Sequence, residues 1–306
     1  DQHARTMLQR SGSGTSLNSP PDLLLSMPLH KANIQMQSVN ILDPNMPIED
    51  GFHIITKVLS APLFDKDRNQ FIGILDIRHF LGYILYKLPL PPSGMKEKQV
   101  YLRDLDRSQY TILDRNSTIS ELLKYFNTGL HSAFVLNEMK QIEVITQISF
   151  AKWIKDNIER LGSIKEQPIK DIFKGEQHHN FAKVHSIENS KSVVEALKEL
   201  YTKNIYGMPV VDKDHRIVGN FSIIDIKEAN DNLDMLILPL KDYFGERPIF
   251  SCSQDGKLAE LLDMFVQKKI HRVYLTEKGQ PVGIVTITDV IDMLYLNLTY
   301  RATGVE

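Results

Sequence analysis

Tyr206-Gly-Met-Pro-Val-Val-Asp212, followed by Arg216-Ile-Val-Gly-Asn-Phe-Ser-Ile-Ile-Asp225, is the stretch that decides the fold. Each half is a short apolar run rich in strand-forming residues and bounded by charged turn residues, the pattern of two paired strands. The phrase returns as His271-Arg-Val-Tyr-Leu-Thr-Glu277 and Pro281-Val-Gly-Ile-Val-Thr-Ile-Thr-Asp289, with Gly279 available for a tight turn between them. Two earlier copies share the same plan. One reads Ser60-Ala-Pro-Leu-Phe-Asp65 and Gln70-Phe-Ile-Gly-Ile-Leu-Asp-Ile-Arg-His79, the other His131-Ser-Ala-Phe-Val-Leu-Asn137 and Ile142-Glu-Val-Ile-Thr-Gln-Ile-Ser149. From Pro62 to Asp76, Phe134 to Thr146, Pro209 to Ser222 and Tyr274 to Thr286 the offsets are 14, 12, 13 and 12 residues. A period this regular makes the repeat itself the architecture.

Around each pair of strands the same elements recur. In the fourth copy Ile249-Phe-Ser-Cys252 reads as a short strand, and Leu258, Leu261, Leu262, Phe265 and Val266 fall at helical spacing between Asp255 and Lys269. A second helix is expected from about Thr288 to Leu296. The order is strand, helix, strand, strand, helix. Copy three repeats it, with a first strand expected over Ala182 to His185, and copy two does so with a first strand from Tyr110 to Leu113. In copy one the first strand is not assigned. The fold class expected is therefore α/β, with four repeats over 31–92, 100–162, 168–232 and 240–298. One such unit buries too little surface to stand alone, so copies should pair, giving two pairs in one compact pseudo-symmetric assembly. Residues 1–30 are expected to form a disordered tail, since Ser11-Gly-Ser-Gly-Thr-Ser-Leu-Asn-Ser-Pro-Pro21 is polar and rich in helix breakers.

The whole-chain numbers exclude several classes of function. A chain of 306 residues with 42% hydrophobic and 24% charged residues has the balance of a globular protein. Its formal net charge of -2 lacks the basic excess that binding a nucleic acid backbone requires. Cys252 stands alone, so no internal disulfide is available. No apolar run approaches the ~18 residues of a membrane helix, so no membrane or nucleic acid partner is expected. The expected location is cytoplasmic, with a nuclear one also open. Gly-rich phosphate loops, a Gly-x-Ser-x-Gly elbow and a His-Glu-x-x-His helix are absent, and a catalytic role is not expected. The chain begins at Asp1, which leaves a preceding segment open.

These copies resemble the cystathionine-β-synthase-type (CBS) repeat, two of which form a Bateman module. Four in one chain resemble the γ subunit of the AMP-activated, SNF1-type protein kinase. The Ala-Pro-Leu, aromatic, Asp run at Ala61 to Asp65 is similar to that family's first repeat, and His271-Arg272 resembles the His-Arg pair of its fourth. The resemblance implies a non-catalytic regulatory subunit, with a kinase catalytic (α) subunit and a β scaffold subunit as partners. It further implies that AMP, ADP or ATP binds in clefts between repeats, with no other cofactor.

The resemblance also implies the contact residues. In the family a Ser/Thr-x-x-Asp step ends the third strand, and its Asp accepts hydrogen bonds from both ribose hydroxyls. Ser222-Ile-Ile-Asp225 and Thr286-Ile-Thr-Asp289 match it. A carboxylate suits the task, because it offers two acceptor oxygens to neighbouring hydroxyls. The same spacing is also a helix capping box, and both readings stand at this point. Arg272 and His271 are the implied phosphate ligands, with His131 facing the same channel. Asn180 falls where the family has a small hydrogen-bonding residue facing adenine.

Copies one and two depart from the pattern. Asp76-Ile-Arg-His79 and Thr146-Gln-Ile-Ser149 have lost the terminal Asp, and Ser132 replaces an Arg beside His131. In the family the second repeat also lacks this Asp, whereas the loss at His79 is a divergence. The departures support an alternative reading, a CBS-repeat scaffold or inhibitor whose nucleotide sites are largely non-functional. An enzymatic reading would need a catalytic domain ahead of Asp1.

Overall fold

The structure, a computed structural model, describes residues 20–87, 99–109, 111–173, 184–229, 233–243 and 247–303. It opens with two short helices, α1 (Pro20–Leu25) and α2 (Leu29–Ala32), followed by strand β1 (Gln37–Ser38). Leu24, Leu25 and Leu29 are only 1%, 9% and 1% exposed. The expected tail therefore does not extend to residue 30. Its last third carries the apolar residues Leu23 to Leu25, Met27 and Leu29, and burying them offsets the ordering entropy that the polar part could not.

Repeat one has α3 (Ile48–Val58), β2 (Ser60–Asp65), β3 (Gln70–Asp76) and α4 (Ile77–Lys87). Its missing first strand is reduced to a single parallel bridge between Leu42 and Leu63. Repeat two is β4 (Ile112–Asp114), α5 (Ile119–Phe126), β5 (Ser132–Leu136), β6 (Ile142–Thr146) and α6 (Gln147–Asp156). After the short helix α7 (Ile169–Ile172) comes repeat three: β7 (Ile187–Glu188), α8 (Val193–Lys203), β8 (Gly207–Val211), β9 (Ile217–Ser222), a 3-10 turn Ile223–Asp225 and α9 (Ile226–Ala229). Helix α10 (Leu240–Tyr243) leads into repeat four: β10 (Ser251–Cys252), α11 (Leu258–Lys268), β11 (Arg272–Glu277), β12 (Gln280–Thr286) and α12 (Ile287–Thr303).

The described first strand of repeat three is Ile187–Glu188, with Ile187 opposite Val210, and Ala182 and Lys183 of the expected strand lie outside the described residues. In repeats two to four the first strand runs parallel to the second, and the second antiparallel to the third. A parallel neighbour requires a crossover, which each repeat's first helix supplies. The register aligns the copies: Ser60 faces Asp76, Ser132 faces Thr146, Gly207 faces Ser222 and Arg272 faces Thr286.

Two kinds of contact join the repeats. Leading segments are exchanged between neighbours. Leu29 N donates to Ser117 O of repeat two, and Leu102 N, just ahead of repeat two, donates to Met46 O of repeat one. Likewise Ile169 N donates to Gly256 O of repeat four and Leu240 N to Lys191 O of repeat three. Repeats one and two, and repeats three and four, are thus clasped in pairs. Helices pack the other way. One large core joins repeats one and three through Phe52, Phe80, Leu197 and Phe221. The other joins repeats two and four through Phe126, Phe150, Leu262, Phe265 and Val290, with α6 against α11 and α5 against α12. Both patterns use side chains at i, i+3, i+4 and i+7, as Leu258, Leu261, Leu262 and Phe265 show. Every repeat touches one partner by strand ends and another by helices, so the four close around a centre.

Candidate functional site

That centre is a cavity of about 450 Å³ to which all four repeats contribute. Its polar lining includes Asp76 from repeat one, His131 from repeat two, Tyr206 from repeat three, and His271, Arg272 and Asp289 from repeat four. The register explains the convergence: the second strand's start and the third strand's end lie side by side in each copy, and those ends point at the centre.

Asp289 sits in the first turn of α12. Its Oδ2 accepts from Thr286 N at 2.7 Å and from Thr286 Oγ1 at 2.6 Å, while Asp289 N donates to Thr286 Oγ1 at 3.1 Å. The capping reading is therefore real, and the carboxylate nonetheless lines the cavity. Asp292 lies one turn further along the same wall. Its Oδ1 is buried without a hydrogen-bond partner. Burial, and then the charge of Asp289, push its carboxyl up to about 6.

Other groups of the lining are cationic or titratable. Arg272 crosses over the backbone of Gly207, where a Cβ would lie only 2.1 Å from its Nη1. Its Nη1 donates to Asn220 Oδ1 at 3.4 Å, and Tyr274 Oη donates to the same oxygen at 2.5 Å. Burial, Arg272 and His131 together hold His271 down to about 4, so its ring is neutral at pH 7. His131 is also lowered, first by burial, with Asp76 opposing and Arg272 adding to it. Its ring meets Tyr206 edge to face at 4.1 Å.

In repeat one the acid has changed places. Asp76 occupies the Ser/Thr position and His79 the Asp position, with His79 Nδ1 2.9 Å from Asp76 Oδ1. Asp76 Oδ1 also accepts from Arg78 N at 2.9 Å, and Oδ2 accepts from Tyr206 Oη at 3.1 Å. Burial raises the Asp76 carboxyl, and the His79, Arg78 and Tyr206 contacts outweigh it, leaving the pKa below the usual value. Tyr206 itself is pushed up, first by burial and then by Asp76. In repeat two Thr146 Oγ1 accepts from Ser149 N at 3.1 Å, a helix cap with no acid.

The structure thus brings His131, His271, Arg272, Thr286 and Asp289 to one cavity. Ser222 and Asp225 do not line it. Asp225 is 8% exposed, caps its own turn through Ser222 N at 2.6 Å, and is paired with Arg247. Asn180 lies outside the described residues. The sequence reading passed over Tyr206, Asp76, Asn220 and Asp292. Asp76 alone carried a signal, being the acid three residues ahead of the expected one.

Comparison with known proteins bears on the fold and its repeats. The CBS domain family model matches residues 181–232 and 240–296. The 5'-AMP-activated protein kinase subunit gamma of Dictyostelium discoideum is 22% identical over 290 residues, covering 84% of this chain and 49% of its own. The corresponding subunit of Saccharomyces cerevisiae is 18% identical over 286 residues, covering 84% of this chain and 86% of its own. The chain spans about half the length of several of the curated relatives it matches. A crystal structure from Methanocaldococcus jannaschii, described as an archaeal homologue of g-AMPK, superposes with a TM-score of 0.70 at 15% identity. It covers 87% of this chain and 99% of its own. The family model thus finds CBS domains in repeats three and four, and with the repeat order, register and paired packing above, the chain as a whole resembles the gamma subunit of AMP-activated protein kinase.

Proposed function

We propose that this chain is a non-catalytic regulatory subunit that binds an adenine nucleotide in the central cavity and controls a partner protein kinase. The observation that carries the reading is the convergence of Asp289 with Arg272, His131 and His271 on one cavity of about 450 Å³. That volume is in the range of small-molecule sites. The lining groups are chemically distinct. Asp289 suits the ribose hydroxyls, which donate to a carboxylate. Arg272 offers a planar fork to phosphate oxygens, and the two imidazoles can each donate a ring N–H to them. The kinase partner is supported by the names of the relatives, and its catalytic (α) and scaffold (β) subunits are what the family resemblance implies. Regulation requires that the nucleotide favour one arrangement of the complex over another, since equal affinity for both shifts nothing. A ligand touching all four repeats is suited to this.

Calorimetry of the purified chain with AMP, ADP, ATP and adenosine is the test. Micromolar binding of at least one nucleotide, weakened by Asp289→Asn, is expected, and absence of binding by all would overturn the reading. The scaffold reading is favoured by a specific observation: Asp76 is engaged by His79, Arg78 and Tyr206, and Asp225 by Ser222 and Arg247. Recovery of the chain without kinase subunits, together with a silent calorimetric trace, would support it.

A further inference from the structure

Asp225 and Asp289 hold the same place in their repeats, yet only Asp289 lines the central cavity. At Asp225 the surroundings are supplied by α10 and Arg247. Leu240 N and Lys241 N donate to Lys191 O and Asn189 O, which docks α10 on repeat three. Tyr243, the last residue of α10, donates its hydroxyl to the Asp225 carbonyl at 2.7 Å. Arg247 then returns so that its guanidinium lies 5.6 Å from the Tyr243 ring centroid and Nη1 bonds Asp225 Oδ1. Asp225 Oδ2 meanwhile accepts from Ser222 N and Ser222 Oγ. Helix α7 is the counterpart of α10: Pro168-Ile-Lys-Asp-Ile172 matches Pro239-Leu-Lys-Asp-Tyr243. Its last residue is Ile172, which has no hydroxyl to offer.

We propose that Arg247 is a built-in plug that fills the ribose position at Asp225, so that the chain takes one nucleotide, at Asp289, where its repeat pattern offers two. A ribose diol is neutral, and to bind Asp225 it would have to displace a charge-assisted bond and strand a guanidinium beside a buried carboxylate. The exchange is unfavourable. Arg247 therefore withdraws the Ser222-x-x-Asp225 step from ribose binding. Tyr243 acts through Arg247 and the Asp225 backbone, as a positioning residue.

This inference rests on the nucleotide reading of Asp289, and the experiment separates the two. AMP is titrated calorimetrically into wild type, Asp289→Asn and Arg247→Gln, each checked for a cooperative melt. One equivalent for wild type, lost in Asp289→Asn, and two equivalents for Arg247→Gln are expected. An Arg247→Gln protein that is folded and keeps the wild-type number overturns the plug, as does loss of the wild-type equivalent, which would make Arg247 a ligand group. Two equivalents in wild type, falling to one in Asp225→Asn, also overturn it. If wild type binds none, the reading of Asp289 fails by itself. The plug is then upheld by one equivalent appearing in Arg247→Gln and overturned by none. Where the Gln variant does not melt cooperatively, Arg247→Lys, which keeps the charge without the planar fork, is used instead. A second, weaker equivalent upholds the plug there, and the wild-type number overturns it.

Discussion

Replacing Gly207 by Ala tests whether Arg272 is aimed into the cavity by repeat three. Gly207 lies in β8 opposite Ser222, in ordinary strand backbone, so Ala is conformationally acceptable and removes the entropic cost of a strand glycine. The fold should be kept. A Cβ there would stand 2.1, 2.3 and 2.8 Å from Nη1, Cζ and Nε of Arg272, whereas ordinary contact begins at 3.4 Å. The guanidinium must retreat by more than about 1 Å, beyond hydrogen-bond reach of a phosphate it had met. A hydrogen bond to a charged group contributes about 1.5–3 kcal/mol. At about 1.4 kcal/mol per factor of ten, AMP should bind roughly ten- to a hundredfold more weakly. Adenosine, which carries no phosphate, should bind as before. Parallel calorimetric titrations of wild type and Gly207→Ala with both ligands read this out. Equal weakening of AMP and adenosine, or none of either, would refute the placement of phosphate at Arg272.

Three more outcomes are expected from the same geometry. Asp292 has a folded pKa raised to about 6 from 3.8, so the stability owed to its proton is present below 3.8 and lost as pH rises through about 6. Discounted for partial exposure, this is about 1 kcal/mol, and Asp292→Asn should stabilise the chain in urea unfolding at pH 8 while changing little at pH 4, an order that must not be reversed. His271 is depressed to about 4 from 6.5; its contribution is present above 6.5 and lost as pH falls toward 4. Phosphate entering beside it should reverse part of that shift, so AMP binding at pH 6 should take up protons, seen as a dependence of the calorimetric heat on the buffer's ionisation enthalpy; buffer-independent heat contradicts it. Leu29→Ala, at a side chain only 1% exposed, should cost about 2–4 kcal/mol in denaturant unfolding, where an undocked segment would give nothing measurable.

The repeat was legible because strand pairs are local: Pro209 to Ser222 closes its own hairpin, and a period in sequence is a period in structure. The capping steps were legible for the same reason. What the sequence could not display was any relation fixed by packing between copies. The helical cores join repeats one with three and two with four, although exchanged leading segments clasp one with two and three with four. Nothing local distinguishes those partners, since each helix presents a similar apolar stripe.

The site obeys the same division. Ser222-Ile-Ile-Asp225 and Thr286-Ile-Thr-Asp289 read alike, yet Asp289 lines the cavity and Asp225 does not, and a guanidinium reaches Asp225 from another element. Tyr206 is in strand-like sequence, yet its hydroxyl reaches the Asp76 carboxylate, 130 residues earlier in the chain. Asp225 and Asp76 each meet a group from another element, and Asp76 and Asp289 both line the cavity. The role of a copy is thus not decided by the repeat motif alone, and the functional reading of any one copy depends on the residue that reaches it from another.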